Sequence, residues 1–167
     1  YFGSFYAHDF LWLGNGEKAA RTAYAFANHA SPMLVWREEQ SLQHHRNYYN
    51  GDMPHNWASA EFIRLMLHLL VFERGDELHL LEGLPPTWLK PEAVTSVNKA
   101  LTRFGEISLE LCVAKDGRSA TLNVTPPTRN PPRHIIVPLP CGKTADLGKK
   151  GTHCGGKIQM TWPLESK

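Results

Sequence analysis

Long hydrophobic runs are missing from this sequence. The longest apolar stretch, Leu65 to Phe72, is broken by His68 and is far too short to cross a bilayer, so no helical membrane span is expected. An excess of charge of either sign is missing too. With 18 Lys and Arg against 16 Asp and Glu, a net +2 spread through 167 residues, the chain has no electrostatic footprint for nucleic acid or an anionic membrane surface. Cysteine is scarce: Cys112, Cys141 and Cys154 cannot all pair within one chain, and their spacing matches no CxxC metal pattern. Cys112 lies in a strand-like run and reads as a small buried hydrophobe. For Cys141 and Cys154, a disulfide and two free thiols stand as alternatives, so the compartment stays open between periplasmic, secreted and cytoplasmic.

Several catalytic signatures are likewise missing. There is no GxSxG elbow, no phosphate-binding Gly loop, no HExxH and no nucleophilic Cys in a recognisable setting, and no cofactor is implied. A metal reading would need His44, His45 and His55 with a carboxylate, but neighbouring His side chains diverge and make poor co-ligands. No repeat, low-complexity tract or Gly/Ser linker is visible. The opening residues do not read as a secretory leader. Tyr1-Phe2-Gly3 begins inside an apolar pattern, which gives the expectation of a piece of something longer.

What is present is an ordinary globular composition, 42% hydrophobic and 20% charged. Helical periodicity comes first and strand periodicity later. Phe2, Phe5, Tyr6, Phe10 and Leu13 follow helical spacing, and Gly14-Asn15-Gly16 supplies a C-cap. From Glu17 to Ala30, Ala20, Ala23, Tyr24, Ala27 and Ala30 form a small-residue stripe, predicting a helical hairpin. A third helix is expected from Trp57, N-capped by Asn56, burying Phe62, Leu65, Met66, Leu69 and Leu70, with Glu61, Arg64 and His68 elsewhere on its surface and a stop before Gly75-Asp76. Three helices cannot close a core alone, so helical partners upstream of Tyr1 are expected.

After Gly75 the period becomes two. Glu77–Leu81, Ile107–Val113, Ala120–Val124, His134–Leu139 and Lys157–Trp162 read as strands, Asp116-Gly117 as a hairpin turn and Thr87–Leu89 as one helical turn. The fold expected is α+β: a helical segment over 1–74 followed by an antiparallel β-sandwich over 75–167. Asn123-Val124-Thr125 fits a glycosylation sequon but falls in a strand.

Between the second and third helices lies a polar, aromatic-rich connection, where binding and catalytic groups concentrate. Glu38 and Glu39 are the acid or base candidates, because a carboxylate beside Trp36 and partly removed from water can hold or take a proton. Successive side chains of an extended segment point apart, so one faces a site while the other pairs with Arg37, Arg46 or a backbone N–H. His55 sits between Pro54 and the helix start, held either for a substrate or for loop carbonyls. Trp36 and Trp57 offer faces for sugar stacking, and each taken singly also suits a plug of the helical core.

The order Trp36-Arg37-Glu38-Glu39, then Gly51-Asp52-Met53-Pro54-His55-Asn56-Trp57-Ala58-Ser59-Ala60-Glu61, then Leu80-Leu81-Glu82-Gly83-Leu84-Pro85-Pro86-Thr87-Trp88-Leu89 resembles the C-terminal end of bacterial six-hairpin glycosidases of the α-L-rhamnosidase kind. The resemblance runs from near Tyr1 to roughly Leu139. It implies the last helices of an (α/α)6 toroid followed by a β-sandwich, and inverting hydrolysis of glycosidic bonds in an oligosaccharide or glycoside. Carried over, Glu38 or Glu39 resembles the base, and Trp36, Arg37, His55 and Trp57 resemble substrate contacts. Arg37 stands where these enzymes have Glu directly after the Trp, which leaves open which Glu corresponds. Their general acid comes from an earlier hairpin, and an inverting pair needs two carboxyl groups about 6.5–9.5 Å apart, so the missing barrel part is the implied partner and the fragment alone is expected to be inactive. The alternative is a non-catalytic carbohydrate-binding or structural accessory module. A toroid lyase or phosphorylase is a third reading.

Overall fold

The computed structural model describes residues 1–40, 49–139, 143–147 and 157–164. His44, His45, Arg46, Cys141 and Cys154, and with them the disulfide alternative, lie outside the described residues. The chain is α+β and divides into two compact units, Tyr1–Leu69 and Leu70–Lys167.

In the first unit, α1 (Phe2–Trp12) and α2 (Gly16–Asn28) are joined by the shortest of turns. Gly14 takes φ +70°, Gly14 N–H bonds Leu11 O at 3.0 Å and Asn15 N–H bonds Phe10 O at 2.8 Å, a Schellman ending that uses up the last carbonyls of α1. Asn15 then opens α2, its Oδ1 accepting from Lys18 N–H at 3.2 Å. The hairpin expected here forms, but α1 is turned. Its buried residues are Ser4, Ala7, His8 and Leu11, whereas Phe2, Tyr6 and Leu13 are exposed. Small and hydrogen-bonded residues face inward because Ala19, Ala20 and Ala23 of α2 let the helices approach closely, and bulky aromatics would hold them apart. Tyr24, expected on the α2 stripe, is exposed, and Phe26 is buried in that helix instead.

The third helix, α3, runs Asn56–Leu70. Asn56 is already helical, and the cap is His55: its Nδ1 accepts from Ala58 N–H at 3.3 Å, and its carbonyl accepts from Ser59 N–H at 3.2 Å. The helix also stops earlier than expected. Val71–Arg74 is a strand, β3, pairing with β4 (Glu77–Leu80), so Gly75-Asp76 turns a hairpin and does not end a helix. Val71-Phe72 carries the β-branched and aromatic side chains that favour a pleated surface, a preference hidden by the apolar run preceding it.

The second unit holds two four-stranded sheets. One has the order β10-β7-β6-β5 and is antiparallel throughout, with β5 Val94–Thr102, β6 Gly105–Val113, β7 Ser119–Thr125 and β10 Ile158–Pro163. The other has the order β3-β4-β8-β9, with β8 His134–Pro138 and β9 Thr144–Asp146. There β4 and β8 pair in parallel, a departure from the all-antiparallel expectation that the long excursion through β5, β6 and β7 makes possible. Each sheet buries one face: Ile107, Leu109, Leu111 and Val113 alternate inward on β6, and Ile135 and Val137 on β8. The same parity corrects the reading of Cys112. It falls on the outer face of β6, half-exposed beside Glu110, and burial together with that carboxylate pushes its thiol up, away from a reactive thiolate.

Candidate functional site

The described parts of the connection between α2 and α3, residues 29–40 and 49–55, close on each other as a clamp. Strand β1 (Glu39–Gln40) pairs with β2 (Tyr49–Asn50), Glu39 opposite Asn50, and the ladder is extended by Glu38 N–H to Asp52 O at 3.0 Å and His55 N–H to Trp36 O at 2.9 Å. Arg37 Nη1 donates to Gly51 O at 3.3 Å, tying the strands again from the side. Gly51 takes φ +72°, and a Cβ there would overlap the Glu38 carboxylate. Only glycine lets Glu38 lie across the clamp in this way. The Met53–Pro54 peptide is cis.

Around the clamp mouth the expected residues separate into two groups. Trp36 is 7% exposed, donates from Nε1 to Phe26 O at 2.8 Å and packs on Phe26 and Phe62, with ring centroids 5.3 and 4.6 Å away. It plugs the helical core, one of the two places its sequence context allows. Trp57, 51% exposed, is the open one. It stacks on Tyr1 at 4.6 Å and 16°, with the His55 ring 6.4 Å away, and its indole N–H donates to Glu61 Oε1 at 3.2 Å. Glu38, Glu39 and Arg37 are half-exposed. The Tyr1 nitrogen donates to Glu38 O at 3.2 Å, and the Tyr1 ring lies 5.9 Å from the His55 ring. Glu38, His55 and Trp57 thus come together around Tyr1, Glu39 follows in β1, and Arg37 braces the backbone behind them.

A second polar cluster, which the sequence reading scattered over a helix surface, joins α1 to α3. His8 Nδ1 donates to Ser4 O at 2.8 Å, so its Nε2 is the acceptor for His68 Nδ1–H at 3.0 Å. Ser4 Oγ, fully buried, donates toward Glu61, whose Oε2 and main-chain oxygen each lie 3.2 Å away. Arg64 holds Glu61 Oε2 through Nε at 3.1 Å and Nη2 at 2.5 Å. Burial lowers His8 below its ordinary range, and burial with the facing His8 takes His68 down to about 4, so both imidazoles are neutral near pH 7. Burial pushes Glu61 up, but the hydrogen bonds from Arg64, Trp57 and Ser4 outweigh it and hold the carboxylate ionised. The only signal for this cluster was spacing, Ser4 and His8 four apart and Glu61, Arg64 and His68 at steps of three and four.

Chemically, the Ser4–His8 pair is no nucleophile and base. His8 Nδ1 is committed to a carbonyl and Ser4 has no exposure. Glu61 is an acceptor, unable to serve as a proton donor near neutrality. Among the described residues, no group of three or more His, Cys, Asp or Glu is arranged to hold a metal ion. A scan against protein-family models, a search of curated proteins and a search of solved structures each return no match.

Proposed function

We propose that this chain forms the C-terminal part of a carbohydrate-active hydrolase that cleaves glycosidic bonds with inversion. In that reading, α1, α2 and α3 are the last helices of an α/α toroid, and the two sheets form its closing sandwich. Glu38 or Glu39 takes the proton from the attacking water, His55 and Trp57 contact the sugar, and Arg37 braces the clamp. The observation that carries the reading is the clamp, where main-chain bonds fix Glu38 with its carboxylate over Gly51 and its carbonyl on the nitrogen of Tyr1, the residue that stacks on the exposed Trp57. A pre-positioned carboxylate next to an aromatic face suits a sugar ring and its water. The exposed aromatics of α1, Phe2 and Tyr6, fit helices packing there from the rest of the barrel. That barrel part supplies the general acid, since Glu61 is held ionised.

Glu38→Gln and Glu39→Gln, made separately in the full-length protein, test the assignment against a panel of aryl glycosides that includes the α-L-rhamnoside. The variant lacking the base loses about 10²–10⁴-fold in kcat. Full activity in both variants overturns the assignment.

A further inference from the structure

The second unit carries an open cleft of about 490 Å³ lined by Leu70, Thr87, Trp88, Lys90, Ala93 and the start of β5 from Val94 to Ser96. Its volume is in the range of small-molecule sites. Its walls are firmly built. Trp88 and Thr87 sit on the short 3-10 turn Pro86–Trp88, where Trp88 N–H bonds Pro85 O at 2.9 Å and Leu89 N–H bonds Pro86 O at 3.1 Å. Lys90 begins a tight turn closed by Ala93 N–H to Lys90 O at 3.0 Å, with Pro91 second and Glu92 third at φ +63°. That third position normally takes glycine, so the rim stores backbone strain in a non-glycine residue. The turn is locked from behind by Gly117, where a Cβ would come 3.0 Å from Pro91 Cγ.

The far wall is an edge strand. β5 is bonded on one side alone among the described residues, and Val113 N–H to Ala93 O at 2.9 Å fixes which of its groups face β6. With Val94 opposite Cys112 and Thr95 opposite Leu111, the main-chain groups of Ala93 and Thr95 point to β6 and those of Val94 and Ser96 point outward. The cleft therefore combines one half-buried indole, one exposed ammonium, the hydroxyls of Thr87 and Thr95 and the two outward peptide units of Val94 and Ser96 over an apolar Leu70 floor, while the Ser96 side chain lies on the other face of the strand, opposite Glu110.

We propose that this cleft binds an acidic saccharide, a glycan carrying a uronic acid. The C–H face of the sugar lies on Trp88, its carboxylate meets Lys90, and its hydroxyls bond Thr87, Thr95 and the outward peptide groups of Val94 and Ser96. An added peptide strand is the poorer fit. The register of β5 slips between Val97 and Ala100, and Lys99 takes φ +51°, so the straight edge is too short for a ladder. The proposal does not rest on the hydrolase reading, because neither Glu38 nor Glu39 takes part.

The test is an NMR titration of the 167-residue chain with digalacturonate and with a neutral disaccharide, read at the amides of Thr87 to Ser96. Digalacturonate shifts these amides, and the neutral sugar binds at least several-fold more weakly. Lys90→Gln, a change at an exposed side chain, removes that preference and its salt dependence. Trp88→Ala weakens binding about tenfold. Glu38→Gln leaves the shifts as they are, which separates this site from the clamp. No shifts at millimolar ligand, equal binding of the neutral sugar, or shifts that survive Lys90→Gln unchanged would each overturn the proposal.

Discussion

The helical unit and the strand-rich unit each bury a histidine, and they treat it in opposite ways. In the first, His8 and His68 face each other with only one hydrogen between Nε2 and Nδ1, and burial drives both toward the neutral form. In the second, His79 is only 6% exposed, yet it lies 3.4 Å from Glu82 and 3.0 Å from Glu77. The Glu82 hydrogen bond raises its pKa, burial opposes this, and Glu77 adds to the rise. The comparison shows that burial depth does not set the charge of a buried imidazole. What sets it is whether the facing group is a carboxylate or another imidazole.

The largest change that probes the comparison leaves the histidines alone. Leu65 and Leu122 are both fully buried, one in each unit, and truncating either to Ala is expected to cost about 2–5 kcal/mol. Amide hydrogen exchange localises the loss, faster in α3 for Leu65→Ala and in β6 and β7 for Leu122→Ala. Equal loosening of both units by either change would mean that they do not behave as separate cores.

Removing the carboxylate that distinguishes the two histidines comes next. Glu82→Gln takes away the main cause of the raised His79 pKa and the 3.8 Å contact with Arg74. The expected cost is about 1–3 kcal/mol, with the His79 resonances titrating at lower pH. An unchanged His79 titration would mean that Glu77 alone holds the proton.

The pH response then separates the units without mutation. His68 is near 4 in the folded chain and about 6.5 unfolded, so the unfolded state binds more protons in that window and stability falls as pH drops from 6.5 toward 4. His8, lowered as well, acts in the same sense. The raised pKa of His79 works the other way. Its contribution is complete below about 6.5 and is lost as pH rises through the folded value. Acid should therefore lower the amide protection factors of α1 and α3, the observed rates being taken relative to the intrinsic rate at each pH, while His79 remains charged and paired. His68→Leu should flatten the response of the helical unit between 6.5 and 4.

These polar features were the least legible part of the sequence. The strands of the second unit could be read because alternation is local: every second residue from Ile107 to Val113 is apolar, and each of them is buried. Strand β5 was missed because its burial does not alternate cleanly, with Val94 61% exposed at a free edge and a slip at Val97. Strand β3 was hidden at the end of an apolar helix. For α1, the aromatic spacing was real but pointed outward, because the Ala stripe of α2 and the Ser4–His8 cluster claimed the inner face. In the clamp, Glu38, Glu39, His55 and Trp57 were identified by residue type, but the β1–β2 pairing and the fit of Glu38 over Gly51 depend on residues more than ten positions apart. The burial of Trp36 likewise depends on Phe26 and Phe62, neither of them a sequence neighbour.

The smallest expected effect concerns the joint that turned α1. Asn15 is the second half of a two-residue device: Gly14 closes α1 with φ +70°, and Asn15 Oδ1 satisfies Lys18 N–H at the start of α2. Asn15→Ala removes one cap and leaves the Schellman bonds in place, since those use the main chain, so the expected loss is about 1 kcal/mol. The exposed pair Arg133–Asp76 of the strand-rich unit, 3.8 Å apart, provides the contrast. Asp76→Ala should stay within about 0.5 kcal/mol, because a solvated ion pair contributes little. Denaturant midpoints of the two variants give the comparison. A loss for Asp76→Ala as large as for Asn15→Ala would mean that the Gly75-Asp76 hairpin depends on its side chain as well as its backbone.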